Sequence, residues 1–338
     1  MKSLWHLSLL LPLLLTPGCY LSHIAAGQFH LLRARQPIRA VLEDETTAAD
    51  VRESLSHVQD ARHYARSLGL TIDGQYTTYV AWPGDRIVTT VVATRPGEVE
   101  PAGFWFPILG TLPYKGFFDP ERAGREAERL RRQGLDVCIV PVRAYSTLGW
   151  FDDPVTEPML RGGTGALVET ILHELVHATV YVREQIDFNE GVASFIGEEA
   201  SVRFYQDRGE ADAAAQRRQE VTDAHRIDAA ILGFRERVIE LYAAEPAGPD
   251  RDAARASAEQ ETRAAIAATV FETRDANQLS QELRLNDACL ALAATYTADL
   301  DRYARRLQQL DGDLSAFVAR LIEVAQDPEP RDALLESQ

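Results

Sequence analysis

Positive charge is what this chain of 338 residues has least of. Lysine occurs only at Lys2 and Lys115, and 35 Lys and Arg face 51 Asp and Glu, for a net charge of −16. A surface of that sign repels phosphate backbones, and no basic patch with interleaved aromatics stands out along the sequence, so nucleic acid is excluded as a partner. The shortage of Lys beside abundant Arg reads as genome base composition and carries no functional meaning. No repeat period stands out, which leaves solenoids and arrays aside. What is present is an ordinary globular balance, 46% hydrophobic and 25% charged, and this excludes both wholesale disorder and a polytopic membrane protein. The length suits about two domains or one large one.

The first nineteen residues read as an address. One positive charge, Lys2, precedes an apolar run over residues 4–15 broken only by His6, Ser8 and Pro12, and Thr16-Pro17-Gly18 leads to Cys19. The run is shorter than the roughly 20 residues that cross a bilayer core and suits the apolar region of a secretory signal. Small residues running into a Cys resemble a bacterial lipoprotein processing site, with residues 1–18 removed and Cys19 lipidated. Thr16 stands where such sites usually have Leu, and an ordinary cleaved signal or an uncleaved anchor are the other readings. All three place the folded part outside the cytoplasm, in the cell envelope or periplasm. Cys138 and Cys289 each sit in an apolar run and are expected to be buried thiols.

Along the mature chain, residues 24–68 carry a helical apolar stripe ending at Gly69. Residues 76–82 (YTTYVAW) and 87–94 (IVTTVVAT) are β-branched and aromatic, and Pro83-Gly84-Asp85 between them predicts a β-hairpin. Phe104-Trp105-Phe106 suggests a third strand. Asp119 and Pro120 open a charged helix that Gly134 stops, and residues 137–142 (VCIVPV) read as a buried strand. Beyond a Gly- and Pro-rich loop ending at Gly165, helices are expected over residues 166–183, 190–208, 213–242, 251–274 and 277–319. The expected fold class is α+β: a mixed α/β front portion with a small β-sheet, then a predominantly α-helical rear. Four segments follow from this: a signal peptide (1–18), an α/β portion (19–163), a helical portion (164–245) and a C-terminal helical portion (250–338).

The sharpest signal is His173-Glu174-Leu175-Val176-His177, an H-E-x-x-H. On a helix, positions i and i+4 lie on one face, so both imidazoles can reach one ion. Glu174 leaves the helix beside that face, where it can reach a water at the ion without being a ligand. Two imidazoles plus a carboxylate with one open position suit Zn²⁺, which lowers the pKa of its water into the neutral range. Glu174 then serves as general base and later as proton donor. The surrounding segment is apolar at Leu167, Ile171, Leu172, Leu175, Val176 and Val180, and burying two His and a Glu there costs free energy unless they are paired or metal-bound. A core helix with two hydrogen-bonded histidines is the bland alternative.

A third ligand is required. Glu190 lies thirteen residues after His177, room for the first helix to end, turn, and feed an antiparallel helix that Asn189 can cap. Small residues at Gly191, Ala193 and Gly197 allow close approach, and Glu190 would point back at the His pair. Asp187, Glu198 and Glu199 compete for the role.

His173-Glu174-x-x-His177 followed by Asn189-Glu190-Gly191-Val192-Ala193 resembles the gluzincin class of zinc peptidases, whose third ligand comes from an N-E-x-x-A helix. More widely, the chain resembles a family of predicted bacterial zinc aminopeptidases often described as lipoproteins, through residues 114–119 (YKGFFD), 144–154 (AYSTLGWFDDP), the zinc segment, and Asn286-Asp287-Ala288 with Tyr296. Asp287 departs from the Asn-Asn-Ala expected there.

The resemblance implies a zincin-like front portion over residues 19–163, with an edge strand ending at residues 144–148 that binds extended substrate, and it makes residues 164–245 the zinc-binding helical portion. It also implies phenols at Tyr145 and Tyr296 that stabilise the oxyanion. Glu169, one turn before His173, is a candidate acceptor for an imidazole N–H. An aminopeptidase must also hold a free ammonium; the chain lacks the G-x-M-E-N segment of better-known zinc aminopeptidases, and Glu198, Glu199 or the Asp152-Asp153 pair are the substitutes. The expectation is a zinc-dependent peptide-bond hydrolase, an aminopeptidase acting on envelope peptides and held to the membrane by a lipid at Cys19. The alternative is a non-catalytic envelope lipoprotein that uses the framework to bind a partner, for which Glu174 would be unnecessary.

Overall fold

A computed structural model describes residues 20–106, 110–144, 152–296 and 299–336, with the backbone alone at 294–296. The leader, Cys19, and the segment 145–151 with Tyr145 lie outside the described residues, as does the side chain of Tyr296.

The front portion begins with α1 (Tyr20–Arg33), β1 (Gln36–Pro37), α2 (Ile38–Glu43) and α3 (Ala49–Ser67). The helical stripe expected over residues 24–68 is therefore interrupted twice. Pro37 cannot continue a helix, and Asp44 turns the chain by accepting from the Thr46 N–H and hydroxyl. Strands β2 (Thr78–Val80), β3 (Val88–Thr94), β4 (Phe104–Phe106), β5 (Gly110–Leu112) and β6 (Tyr114–Phe117) follow. Next comes α4 (Pro120–Arg132), capped as expected by Asp119, whose carboxylate accepts from the N–H groups of Glu121 and Arg122. Strand β7 (Asp136–Val142), β8 (Val155–Thr156) and α5 (Glu157–Leu160) complete the portion.

The expected hairpin is not formed. β2 joins a sheet of order β1-β2-β8, antiparallel to β1 and parallel to β8, whereas β3 is the centre of a second sheet, β6-β3-β7, antiparallel on both sides. All seven residues of β3 are buried, and both its edges are already paired, so β2 has no ladder to join there.

The rear is helical: α6 (Thr164–Thr179), α7 (Ile186–Asp207), α8 (Ala211–Ala244), α9 (Pro249–Ala268), α10 (Ala276–Glu282), α11 (Asp287–Tyr296), α12 (Leu300–Gln309), α13 (Leu314–Val324) and α14 (Pro330–Leu335). The single helix expected over 277–319 is four: the chain leaves helix at Leu283 (ψ 131°), and Asp299 (φ 62°) and Gly312 (φ 75°) adopt left-handed backbone at the two later breaks. The fold class is thus mixed α+β with small sheets and a helical C-terminal portion, as expected. Among the described residues no helix is long and apolar enough to cross a membrane.

The largest core joins α3, α6, α7, α12 and α13 through fully buried side chains including Leu55, Ile171, Leu172, Phe188, Ile196, Tyr303 and Phe317. The middle turns of α6 and α7 sit inside it. Cys138 and Cys289 are not free thiols: they form a disulfide across 151 residues that joins β7 to α11. Beside it, Asn286 Nδ2 donates to Asp136 and to the Val137 carbonyl, while Asp287 is held by Arg255 at 2.8 Å and by the Tyr242 hydroxyl at 2.6 Å. The Asn286-Asp287-Ala288 segment is therefore a structural joint, and the acid at 287 has its own cation.

Candidate metal centre

α6 and α7 run antiparallel, and their approach is set by glycine. A Cβ on Gly197 would stand 3.2 Å from the His173 Cβ and 3.2 Å from the Glu169 carbonyl oxygen, so a larger side chain would push the helices apart. The turn between them is tied by Asn189. The Val182 N–H donates to its side-chain oxygen at 2.8 Å, and its amide donates to the Val182 carbonyl at 2.7 Å. Asn189 is thus not the cap the sequence suggests: α7 starts at Ile186, and the side chain reaches back across the turn.

This packing brings His173, His177 and Glu190 together. The two Nε2 atoms are 3.1 Å apart, and Glu190 Oε2 lies 3.4 Å from His173 Nε2 and 3.5 Å from His177 Nε2. A tetrahedral ion with bonds of about 2.0–2.2 Å keeps its donors roughly 3.3–3.5 Å apart, so the triangle has the edges of such a site. His177 is nearly buried, whereas the side chains of His173 and Glu190 keep 17% and 15% exposure; the centre opens to solvent on that side. Burial pushes the Glu190 carboxyl up, but hydrogen bonds and charge from His173 and His177 prevail and hold it at about 2. Burial disfavours His177 cation, yet Glu190 and then Glu174 leave its pKa above the ordinary value.

Glu174 is adjacent and not a member of the triangle. Its Oε2 is buried without a hydrogen-bond partner among the described residues. A carboxylate oxygen so placed costs free energy in the folded protein unless it has work at the site. Its charge, after burial itself, raises the phenol of the buried Tyr76 well above the usual range.

Of the other expected residues, Glu169 does not serve an imidazole. It pairs with Arg217, a buried guanidinium on α8 that also binds Glu220 at 2.8 Å and the Ser201 hydroxyl at 3.0 Å, tying α8 to both ligand helices. Glu199 is taken by Arg218 at 2.6 Å. Glu198 is buried and accepts from His225 at 2.7 Å. Asp153 is buried, and its carbonyl accepts from the Tyr76 N–H.

One residue at the mouth escapes the motif. Tyr181 stands edge-on to the His177 ring, centroids 6.4 Å apart, and is 39% exposed. Burial and then the Glu190 charge raise its phenol. Helical spacing does not place it, since α6 ends at Thr179 and Val180 is already extended (φ −136°, ψ 123°).

Two helices that offer His, His and Glu to one point, with a spare carboxylate alongside, define a protein built round a centre able to hold a metal ion. The chain belongs to the family described as "Putative aminopeptidase", whose model matches residues 19–335. That membership implies peptidase activity on peptide substrates. No curated protein and no solved structure matches the chain.

Proposed function

We propose that the chain is a zinc-dependent aminopeptidase of the gluzincin type. The observation that carries this reading is the convergence of His173, His177 and Glu190 at tetrahedral spacing, with Glu174 beside them and unpaired. His173, His177 and Glu190 would hold the zinc. When bound, zinc supplies Lewis acidity that brings water's pKa toward neutrality and polarises a carbonyl oxygen. Glu174 takes the proton from the attacking water and hands it to the leaving amine, a general acid–base role worth about 10²–10⁴-fold in rate. Tyr145 and Tyr296 are the phenols assigned to the oxyanion, on the family resemblance alone.

The setting we infer is the cell envelope, with a lipid on Cys19. Supporting it are the apolar leader ending at that Cys, a family match that begins at residue 19, and the Cys138–Cys289 disulfide, which an oxidising compartment sustains.

The test compares wild type with Glu174→Gln for zinc content and for hydrolysis of free and N-blocked peptides. Wild type is expected to hold one zinc per chain and cleave only free N-termini; the variant is expected to keep the metal and lose the activity. Cleavage of blocked peptides would make it an endopeptidase, and a wild type with neither zinc nor activity would sink the hydrolase reading.

A further inference from the structure

A hollow of about 510 Å³ near the start of the described chain departs from the acidic character of the molecule. Its walls carry five basic side chains, Lys115, Arg122, Arg125, Arg129 and Arg132, against one carboxylate, Glu126. The sequence intersperses these charges with acids, and the helix sorts them: residues 122, 125, 129 and 132 fall at i, i+3, i+7 and i+10 on one stripe of α4. Glu126 engages Lys115 at 2.9 Å and Arg129 at 2.8 Å. Arg122 lies 3.6 Å from Asp119, and Arg125 lies 3.9 Å from Asp119 and 3.5 Å from Glu121; such long surface pairs are worth little, so an incoming anion can compete for both guanidinium groups.

One further observation gives the hollow a direction. Tyr20, which follows Cys19 in the chain, lines it, with Lys115 Nζ 5.3 Å from its ring centre. Guanidinium groups at that end of the fold suit the phosphates of a headgroup layer.

We propose that this face, formed by the basic stripe of α4 and Lys115, docks on anionic phospholipid headgroups and so fixes the orientation of the protein at the membrane. The net charge of −16 does not prevent contact, because repulsion from the remaining surface is screened over about 8–10 Å whereas the stripe touches the phosphates directly. The inference uses the Cys19 anchor only for the side of approach. It is independent of the hydrolase reading.

The test is co-sedimentation of the full mature chain carrying Cys19→Ser, which removes any lipid, with vesicles of phosphatidylglycerol in phosphatidylcholine and with phosphatidylcholine alone. Binding is expected to the anionic vesicles only, with release at high salt. Combining Arg122→Gln, Arg125→Gln and Arg132→Gln is expected to lower partitioning roughly a hundredfold, at about fivefold for each basic side chain near an anionic surface. Neutralising Arg39, Arg237 and Arg305, all exposed and elsewhere, should change it far less. Should the triple variant fold poorly, Arg125→Gln alone is expected to lose about fivefold. Equal binding to both vesicle types, equal loss in the control triple, or full competition by inorganic phosphate at low concentration would each overturn the proposal. Lipid on Cys19 is read separately, from the mass of the N-terminal peptide, so failure of the anchor and failure of the surface are distinct results.

Discussion

Asn189 and Val182 exchange two hydrogen bonds across the turn that separates the ligand helices, at 2.8 and 2.7 Å. Asn189 is 1% exposed and adjoins Glu190, so the pair fixes both the turn and the entry of the third ligand. Asn189→Ala leaves the half-buried N–H and C=O of Val182 without these partners, at up to about 1–3 kcal/mol each. The expected outcome is a loss of about 2–4 kcal/mol in urea unfolding of the apo-protein and zinc affinity weakened about 10–100-fold, the usual effect of removing a group that orients a metal ligand. Asn189→Asp keeps the acceptor and should fall between. Unchanged zinc affinity in Asn189→Ala would show that the turn holds Glu190 without this brace.

The close approach at Gly197 makes a second prediction. Its neighbours at 3.2–3.3 Å are the backbone of α6 and the first atom of the His173 side chain, neither of which can swing aside. Gly197→Ala gains helix propensity of about 1 kcal/mol but must move α7 outward by a few tenths of an ångström. Overpacking of this kind costs about 1–3 kcal/mol. Stability is therefore expected to change little or fall modestly, while zinc affinity drops, because the displacement opens the triangle at His173. Metal titration and thermal melting measured together separate the two effects; a variant with wild-type affinity would show that the helices adjust without moving the ligands.

The ligand set was legible in the sequence because helical geometry ties its members together. An i, i+4 His pair faces one way whatever surrounds it, and thirteen residues to Glu190 suffice for one turn. The Asp119 cap and the Gly134 stop were legible for the same local reason. Pairings that depend on distant segments were not. Apolar flanks around Cys138 and Cys289 are the same for a buried thiol and for a disulfide, and only the docking of α11 on β7 decides. Two β-rich segments joined by Pro83-Gly84 satisfy every local hairpin rule, yet β6 and β7 occupy both edges of β3. Glu169, Glu198 and Glu199 looked free for the site because their partners, Arg217, His225 and Arg218, come from a different helix.

That second helix also sets a pH dependence. Asp228 lies on α8 near the pair made by the buried Glu198 and the exposed His225. Burial, and then the Glu198 charge, raise its carboxyl from an ordinary 3.8 to about 6, with His225 acting in the opposite direction. Below pH 4 the group is protonated in both folded and unfolded chains and contributes nothing. Between pH 4 and 6 the unfolded chain ionises first, so folding stability falls by at most about 3 kcal/mol; above 6 the loss is constant. His225 acts in a different window. The Glu198 hydrogen bond raises its pKa, so its contribution is present below 6.5 and is lost as pH rises through the folded value. Asp228→Asn removes the first slope and reduces the second, because the Asp228 charge also helps to raise His225. Urea midpoints should therefore rise in the variant at pH 7 and converge with wild type below pH 4; parallel curves across that range would place the titrating group elsewhere.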